Sequence, residues 1–214
     1  MVETVYLDSY SESESIYADL SQPVRDWFED TFPDFTDPQK LAIPSIIGGE
    51  HLLLCSPTGS GKTLTAFLSI IDNLIRKSLD GELEERVYCV YISPIKALAN
   101  DIQKNLIGPL TEIKERFLPS RAKDIRVGLR TGDTSQSERQ KMLRKPPHIL
   151  ITTPESLALT LAAKRFRPHY SQLSWLVIDE MHSLVPTKRG VHLALSLSLL
   201  DTVIETPVQR IGIS

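Results

Sequence analysis

Six short, nearly continuous apolar runs recur along the chain: "HLLLCS" at 51–56, "VYCVYIS" at 87–93, "IRVGLRT" at 125–131, "HILITT" at 148–153, "WLVIDE" at 175–180 and "RIGIS" at 210–214. Runs of this kind suit strands buried on both faces, as in a parallel sheet. The stretches between them carry helical spacing, over about 37–47, 62–79, 94–117, 134–145, 154–164 and 190–204. Strand and helix alternate, so the expected fold class is α/β, a mostly parallel central sheet with helices on both faces. At 214 residues and 41% hydrophobic content the chain can bury the core of one large domain, and it is too short for two of that size.

The first run ends at a loop with a specific chemistry. "SPTGSGKT", Ser56 to Thr63, follows a strand and opens a helix, the context that a phosphate-binding P-loop requires. Gly59 and Gly61 can take backbone angles closed to other residues, so the N–H groups of Pro57–Thr63, Pro57 itself excepted, can turn inward around phosphate oxygens. Thr58 and Ser60 fill the remaining loop positions, and the helix that follows adds the positive end of its dipole. Lys62 is expected to reach the β and γ phosphates of ATP, and the Thr63 hydroxyl to bind Mg²⁺. The first position of the motif is Ser56, where glycine is usual.

A P-loop needs an acid for the metal, and "WLVIDEMH" supplies one. Four apolar residues drive a central strand, and Asp179 and Glu180 stand at its carboxyl end, the edge where α/β sheets bind ligands. Asp179 is expected to hold Mg²⁺, and Glu180 to orient and deprotonate the water that attacks the γ-phosphate.

Charge divides the chain into unlike regions. Residues 1–37 carry ten Asp or Glu against Arg25 alone, giving −9; the whole chain is −3, so the remainder is +6. Residues 121–148 hold eight Lys or Arg against three acids. Such a cluster can attract a phosphate backbone or simply solvate a helix face. Residues 1–20, with "SESES", read as an acidic, frayed or loosely docked arm, and 21–214 as the folded domain. Cys55 and Cys89 both fall in apolar runs and are expected to be buried hydrophobes, which favours an intracellular, cytoplasmic or nucleoid-associated setting. No apolar run approaches the roughly 18 residues that span a bilayer, so no membrane partner is expected.

With these motifs in order, the chain resembles the DExH-box helicases of superfamily 2, and within them the large helicase-related (Lhr-like) group. The resemblance covers about residues 32–214. "FTDPQ" resembles the adenine-reading Q motif, "SPTGSGKT" motif I, "SPIKALAND" motif Ia, "TGDT" and "TTPESL" further nucleic-acid motifs, and "DEMH" motif II. "RIGIS" resembles the start of motif III, and "KRGVHL" is also similar to the Lhr-like pattern. Two departures are visible: "TDPQ" lacks the usual Pro-Thr before its glutamine, and Met181 replaces a branched apolar residue.

The resemblance implies a RecA-like P-loop domain, the first of two. Gln39 would then read the N6 and N7 edge of adenine through one donor and one acceptor; Phe35 or Phe32 would pack on the base, or else in the core. Pro94, Ile95 and Lys96, the turn Thr131, Gly132 and Asp133, and Thr152, Thr153, Pro154, Glu155 and Ser156 would line a track for nucleic acid, holding phosphates at strand ends and helix starts without reading sequence. His182 and Ser214 would couple the nucleotide to that track. The implied partners are single-stranded or partly duplex nucleic acid, with DNA favoured over RNA, and a second RecA-like domain that supplies arginine fingers. Two other functions fit a P-loop in principle: an ATPase that remodels protein partners, and a non-catalytic nucleic-acid binding module.

Overall fold

The computed structural model describes residues 4–94 and 101–214. Six strands, β1 (Leu52–Leu54), β2 (Cys89–Ile92), β3 (Val127–Arg130), β4 (Ile149–Thr152), β5 (Trp175–Ile178) and β6 (Gln209–Ile213), form one sheet in the order β1-β6-β5-β2-β4-β3. Every pairing is parallel. Each of the six expected runs therefore supplies a strand, and the carboxyl ends of all six fall on one edge. The expectation of burial on both faces holds for the four inner strands, except at Arg210 of β6, which is exposed. The outer two depart from it, because Leu53 of β1 and Leu129 of β3 have no strand beyond them and stay 58% and 50% exposed.

Alternation along the strands sorts the core into two layers. Cys89, Tyr91, Ile149, Ile151 and Val177 face one side, packed against α1 (Ser13–Asp19), α2 (Gln22–Thr31), α3 (Asp37–Ile47), α4 (Lys62–Leu79) and α5 (Gly108–Phe117). Val90, Ile92, Leu150 and Leu176 face the other, packed against α7 (Pro154–Ala162), α8 (Met181–Leu184) and α9 (Lys188–Asp201). A solvated helix, α6 (Gln136–Arg144), has no fully buried residue and is held at its start by Ser135 and Glu138, which cap each other's backbone N–H. One π-helical turn, Gln103–Ile107, leads into α5.

The amino-terminal arm is more ordered than its acidity suggests. Ile16 and Leu20 are buried in the core, the Ser21 N–H donates to Asp72 at 2.6 Å, and Arg76 donates to the Asp19 carbonyl at 2.7 Å. Ile16 on α1 and Leu20 just after it outweigh the charges, which sit on the wet side. The boundary expected at residue 20 thus falls inside a docked helical pair, α1 and α2, which the apolar periodicity of the sequence does not announce. Cys89 is buried as expected, but Cys55 is exposed, just past the end of the outer strand β1.

Candidate nucleotide and nucleic-acid site

The loop after β1 is shaped by its two glycines. Gly59 and Gly61 have φ of 82° and 88°, in the left-handed region where a side chain is strained. A Cβ on Gly61 would also lie 3.1 Å from the Gln39 amide nitrogen. The Thr36 hydroxyl donates to the Ser60 carbonyl at 3.1 Å, and the Thr36 N–H donates to Gln39 Oε1 at 2.8 Å. The start of α3 and the P-loop are thereby fastened together. Lys62 folds its ammonium back over the loop, donating to the Ser56 carbonyl and to the Pro57 carbonyl, the latter at 3.0 Å.

Across the cleft, β5 ends in Asp179 and Glu180. Asp179 is 7% exposed, and burial raises its carboxyl above the usual range. Its Oδ1 accepts the Glu180 N–H at 2.8 Å, and its Oδ2 accepts the Tyr91 hydroxyl. Glu180 takes a left-handed backbone, φ 51° and ψ 42°, unique among the described non-glycine residues. Such a conformation is costly for a side chain with a Cβ and turns this carboxylate off the line of the strand. His182 Nε2 lies 3.0 Å from Glu180 Oε2, and His182 Nδ1 lies 3.0 Å from the Ser214 hydroxyl. Ser214 is brought there because β6 lies beside β1: the Ser214 N–H donates to Leu54 O at 3.0 Å and the Ser56 N–H to Ser214 O at 3.2 Å.

These pieces converge on one cleft of about 320 Å³ lined by Thr36, Gln39, Thr58, Gly59, Gly61, Lys62, Thr63, Asp179 and Glu180. Pro57 and Ser60 stand at its rim through their carbonyls. Hollows of about 610 and 760 Å³ also exist, but their linings hold none of these groups. The smaller cleft is the one at the carboxyl edge of the sheet, where the chemistry is.

Of the two readings of Phe35, base partner and core residue, the core one describes it. It is 4% exposed and stacks on Phe28 with ring centroids 4.2 Å apart, so the core claims it. The aromatic wall of the cleft comes from Phe32 and Trp27, the latter fixed by a 2.7 Å bond from its indole N–H to Glu112. Asp101, Lys104 and Asn105 also line the cleft, and sequence reasoning misses all three. Their spacing of three and four is the available signal, since it places them on one helical face.

The expected track divides. Ile95 and Lys96 lie outside the described residues; Pro94 is half-buried at the end of β2. Gly132 and Asp133 are exposed, and the turn is held by the Thr131 N–H donating to Thr134 at 2.8 Å and by Arg139 donating to Gly132 O at 2.8 Å. Thr152, Thr153, Pro154 and Ser156 are buried. The Thr152 hydroxyl donates to Arg130 O at 2.8 Å, and Thr153 Oγ1 caps α7 by accepting the Ser156 N–H at 3.3 Å. Those hydroxyls frame the helix start and are turned inward. Glu155 alone of the five is exposed, in a two-bonded pair with Arg189 at 2.6 and 3.2 Å.

The cationic cluster divides as well. Arg126 pairs with Glu85 and donates to Pro146 O, and Arg139 serves the Gly132 turn. Lys141, Arg144 and Lys145 lie on or just after α6, which buries none of its residues fully.

A family model described as DEAD/DEAH box helicase matches residues 36–214. The chain belongs to the DEAD/DEAH box helicase family. It is 52% identical over 203 residues to the ATP-dependent helicase Lhr-Core of Methanothermobacter thermautotrophicus, covering 94% of this chain and 23% of that protein. To the Lhr-Core helicase of Methanocaldococcus jannaschii it is 47% identical over 211 residues, covering 98% of this chain and 25% of the relative. Among solved structures, that of Mycobacterium smegmatis helicase Lhr bound to ssDNA and AMP-PNP superposes with a TM-score of 0.82 at 43% identity, over 93% of this chain and 25% of that one. The RecA-like helicase fold implied by the sequence is the one observed. The chain spans about a quarter of the length of these relatives.

Proposed function

We propose that this helicase-family domain binds ATP with Mg²⁺ and serves as the first RecA-like half of an ATP-driven nucleic-acid helicase or translocase. The observation that carries the reading is the convergence of Gln39, the P-loop and the Asp179–Glu180 pair on one cleft at the carboxyl edge of the sheet. Gly59 and Gly61 leave the loop N–H groups free to turn toward phosphates, and Lys62 would exchange its bonds to the Ser56 and Pro57 carbonyls for phosphate oxygens. Thr63 and Asp179 offer oxygen donors only. Such a pair suits Mg²⁺, an ion held by one or two protein oxygens and substrate phosphates. Bound there, the ion would neutralise charge between the β and γ phosphates.

The chain's own residues then divide the work. Glu180, turned by its left-handed backbone and held by His182, would take a proton from the attacking water. His182 would report the state of that carboxylate to Ser214. Nucleic acid would cross the exposed Gly132–Asp133 turn and the Glu155–Arg189 pair, drawn by Lys141, Arg144 and Lys145. A second RecA-like domain would close the cleft. DNA is favoured over RNA, supported by the ssDNA-bound relative at 43% identity. The unit is taken as residues 13–214, inside the cell with its substrate.

The deciding experiment is ATP hydrolysis by the full-length protein with DNA and RNA strands of matched sequence, beside nucleotide binding by calorimetry. Stimulation by DNA above RNA, and loss of ATP binding in Lys62→Ala, are expected. No stimulation by either strand would point to an ATPase acting on protein partners, and unchanged nucleotide affinity in Lys62→Ala would remove the P-loop assignment.

A further inference from the structure

Tyr91 stands out in a strand where aliphatic residues would serve. It lies on β2, between β4 and β5, and its side chain is 1% exposed. Its ring stacks on Phe67 of α4 with centroids 4.9 Å apart and 30° between planes. A phenylalanine would fill that space equally well. What the hydroxyl adds is one bond, donated to Asp179 Oδ2.

That bond completes the restraint on Asp179. Oδ1 is held by the Glu180 N–H at 2.8 Å and Oδ2 by Tyr91, so the carboxylate cannot rotate without breaking one of them. The strand register supports the contact. Ile92 pairs with Ile178, and the Asp179 N–H donates to Ile92 O at 2.8 Å, which sets Asp179 one step beyond β2. Phe67, the residue the ring leans on, follows Thr63 by four positions and so shares its face of α4. One side chain therefore contacts both the carboxylate at the end of β5 and the helix that carries Thr63. Carboxylates that hold a metal are themselves hydrogen-bonded, and the groups that bond them set their orientation.

We infer that Tyr91 is a positioning residue: its hydroxyl fixes the Asp179 carboxylate in the orientation that receives the divalent cation of the nucleotide complex. The inference rests on the reading of Asp179 as the group that holds this cation.

Manganese binding tests it without recourse to turnover. The full-length protein, saturated with a non-hydrolysable ATP analogue, is titrated with Mn²⁺ and free ion is followed by electron paramagnetic resonance, for wild type, Tyr91→Phe and Asp179→Asn. Tyr91→Phe keeps the stack on Phe67, so its melting temperature is expected near that of wild type. Its Mn²⁺ affinity should fall by about 10- to 100-fold, the usual effect of removing such a partner. Wild-type Mn²⁺ affinity in Tyr91→Phe, with weakened affinity in Asp179→Asn, overturns the inference and leaves the proposed function standing. Wild-type affinity in both variants overturns the metal role of Asp179 as well.

Discussion

His182 Nδ1 sits 3.0 Å from the Ser214 hydroxyl, joining the turn after β5 to the end of β6. Because the same ring touches Glu180, either substitution should unlink hydrolysis from nucleic acid and leave ATP binding intact. His182→Ala and Ser214→Ala in the full-length protein are expected to lower strand-stimulated ATPase, and the double variant to lose less than the sum. The interaction energy should lie between about 0.5 and 3 kcal/mol in a double-mutant cycle, and simple additivity would separate the two residues.

Glu180→Gln tests the base. Hydrolysis by the full-length protein should fall by about 10² to 10⁴, the usual contribution of general-base catalysis, while ATP affinity persists because Lys62 and Asp179 remain. Undiminished single-turnover rates would assign the base elsewhere.

The cations on α6 make a quantitative claim. Charge reversal at Lys141 or Arg144, both on the solvated helix, should reduce the log–log salt slope of single-strand binding by about 0.7 for each phosphate that is no longer neutralised. A slope unchanged in both variants, read by fluorescence titration at several salt concentrations, would mark this face as merely solvated.

Gly190 is packed against Leu184 so closely that a Cβ would lie 2.2 Å from the Leu184 carbonyl oxygen. An alanine inside a helix ordinarily stabilises by up to about 1 kcal/mol over glycine, and here the sign should reverse. Forcing α8 and α9 apart should cost about 1 to 3 kcal/mol in urea unfolding. A stabilised Gly190→Ala would refute the close approach.

His148 governs an acid-side loss of stability. It is 1% exposed, its Nδ1 accepts the Arg126 N–H at 3.0 Å, and burial together with the Arg126 charge lowers its pKa from the ordinary 6.5 to about 4. The unfolded chain therefore binds the proton first. The contribution is fully present above pH 6.5 and is lost as pH falls toward 4, by up to about 3 kcal/mol. His148→Asn, whose side-chain oxygen can accept from Arg126, should flatten the melting temperature across that window relative to wild type.

The sheet is legible in the sequence because parallel strands are apolar throughout and are punctuated by loops with special chemistry. The bounds of α3 and α4 fall at the expected residues, 37–47 and 62–79, since Thr36 and Gly61 mark their starts. What stays hidden depends on long-range packing. The α1–α2 pair tucks one apolar residue of α1 and three of α2 beneath an acidic exterior. Phe32 and Phe35 cannot be ranked by composition, because only the docking of α1 and α2 decides which ring enters the core. The sequence places Thr152 and Thr153 at a strand end and helix start, but only packing decides that both hydroxyls turn inward. Met181 departs from the family pattern, and its sulfur fills the space beside Gly212, where a Cβ would come within 2.4 Å.

Cys55 and Cys89 give the protein a chemical asymmetry of practical use. Cys89 is wholly inaccessible, and burial raises its thiol well above the ordinary range, so it cannot form the thiolate that attacks a maleimide. Cys55 is open to solvent and sits one residue before Ser56, where the phosphate loop begins. A maleimide dye therefore enters this domain at a single address, within sight of whatever occupies the cleft, and no engineered cysteine is needed to follow nucleotide arrival by fluorescence.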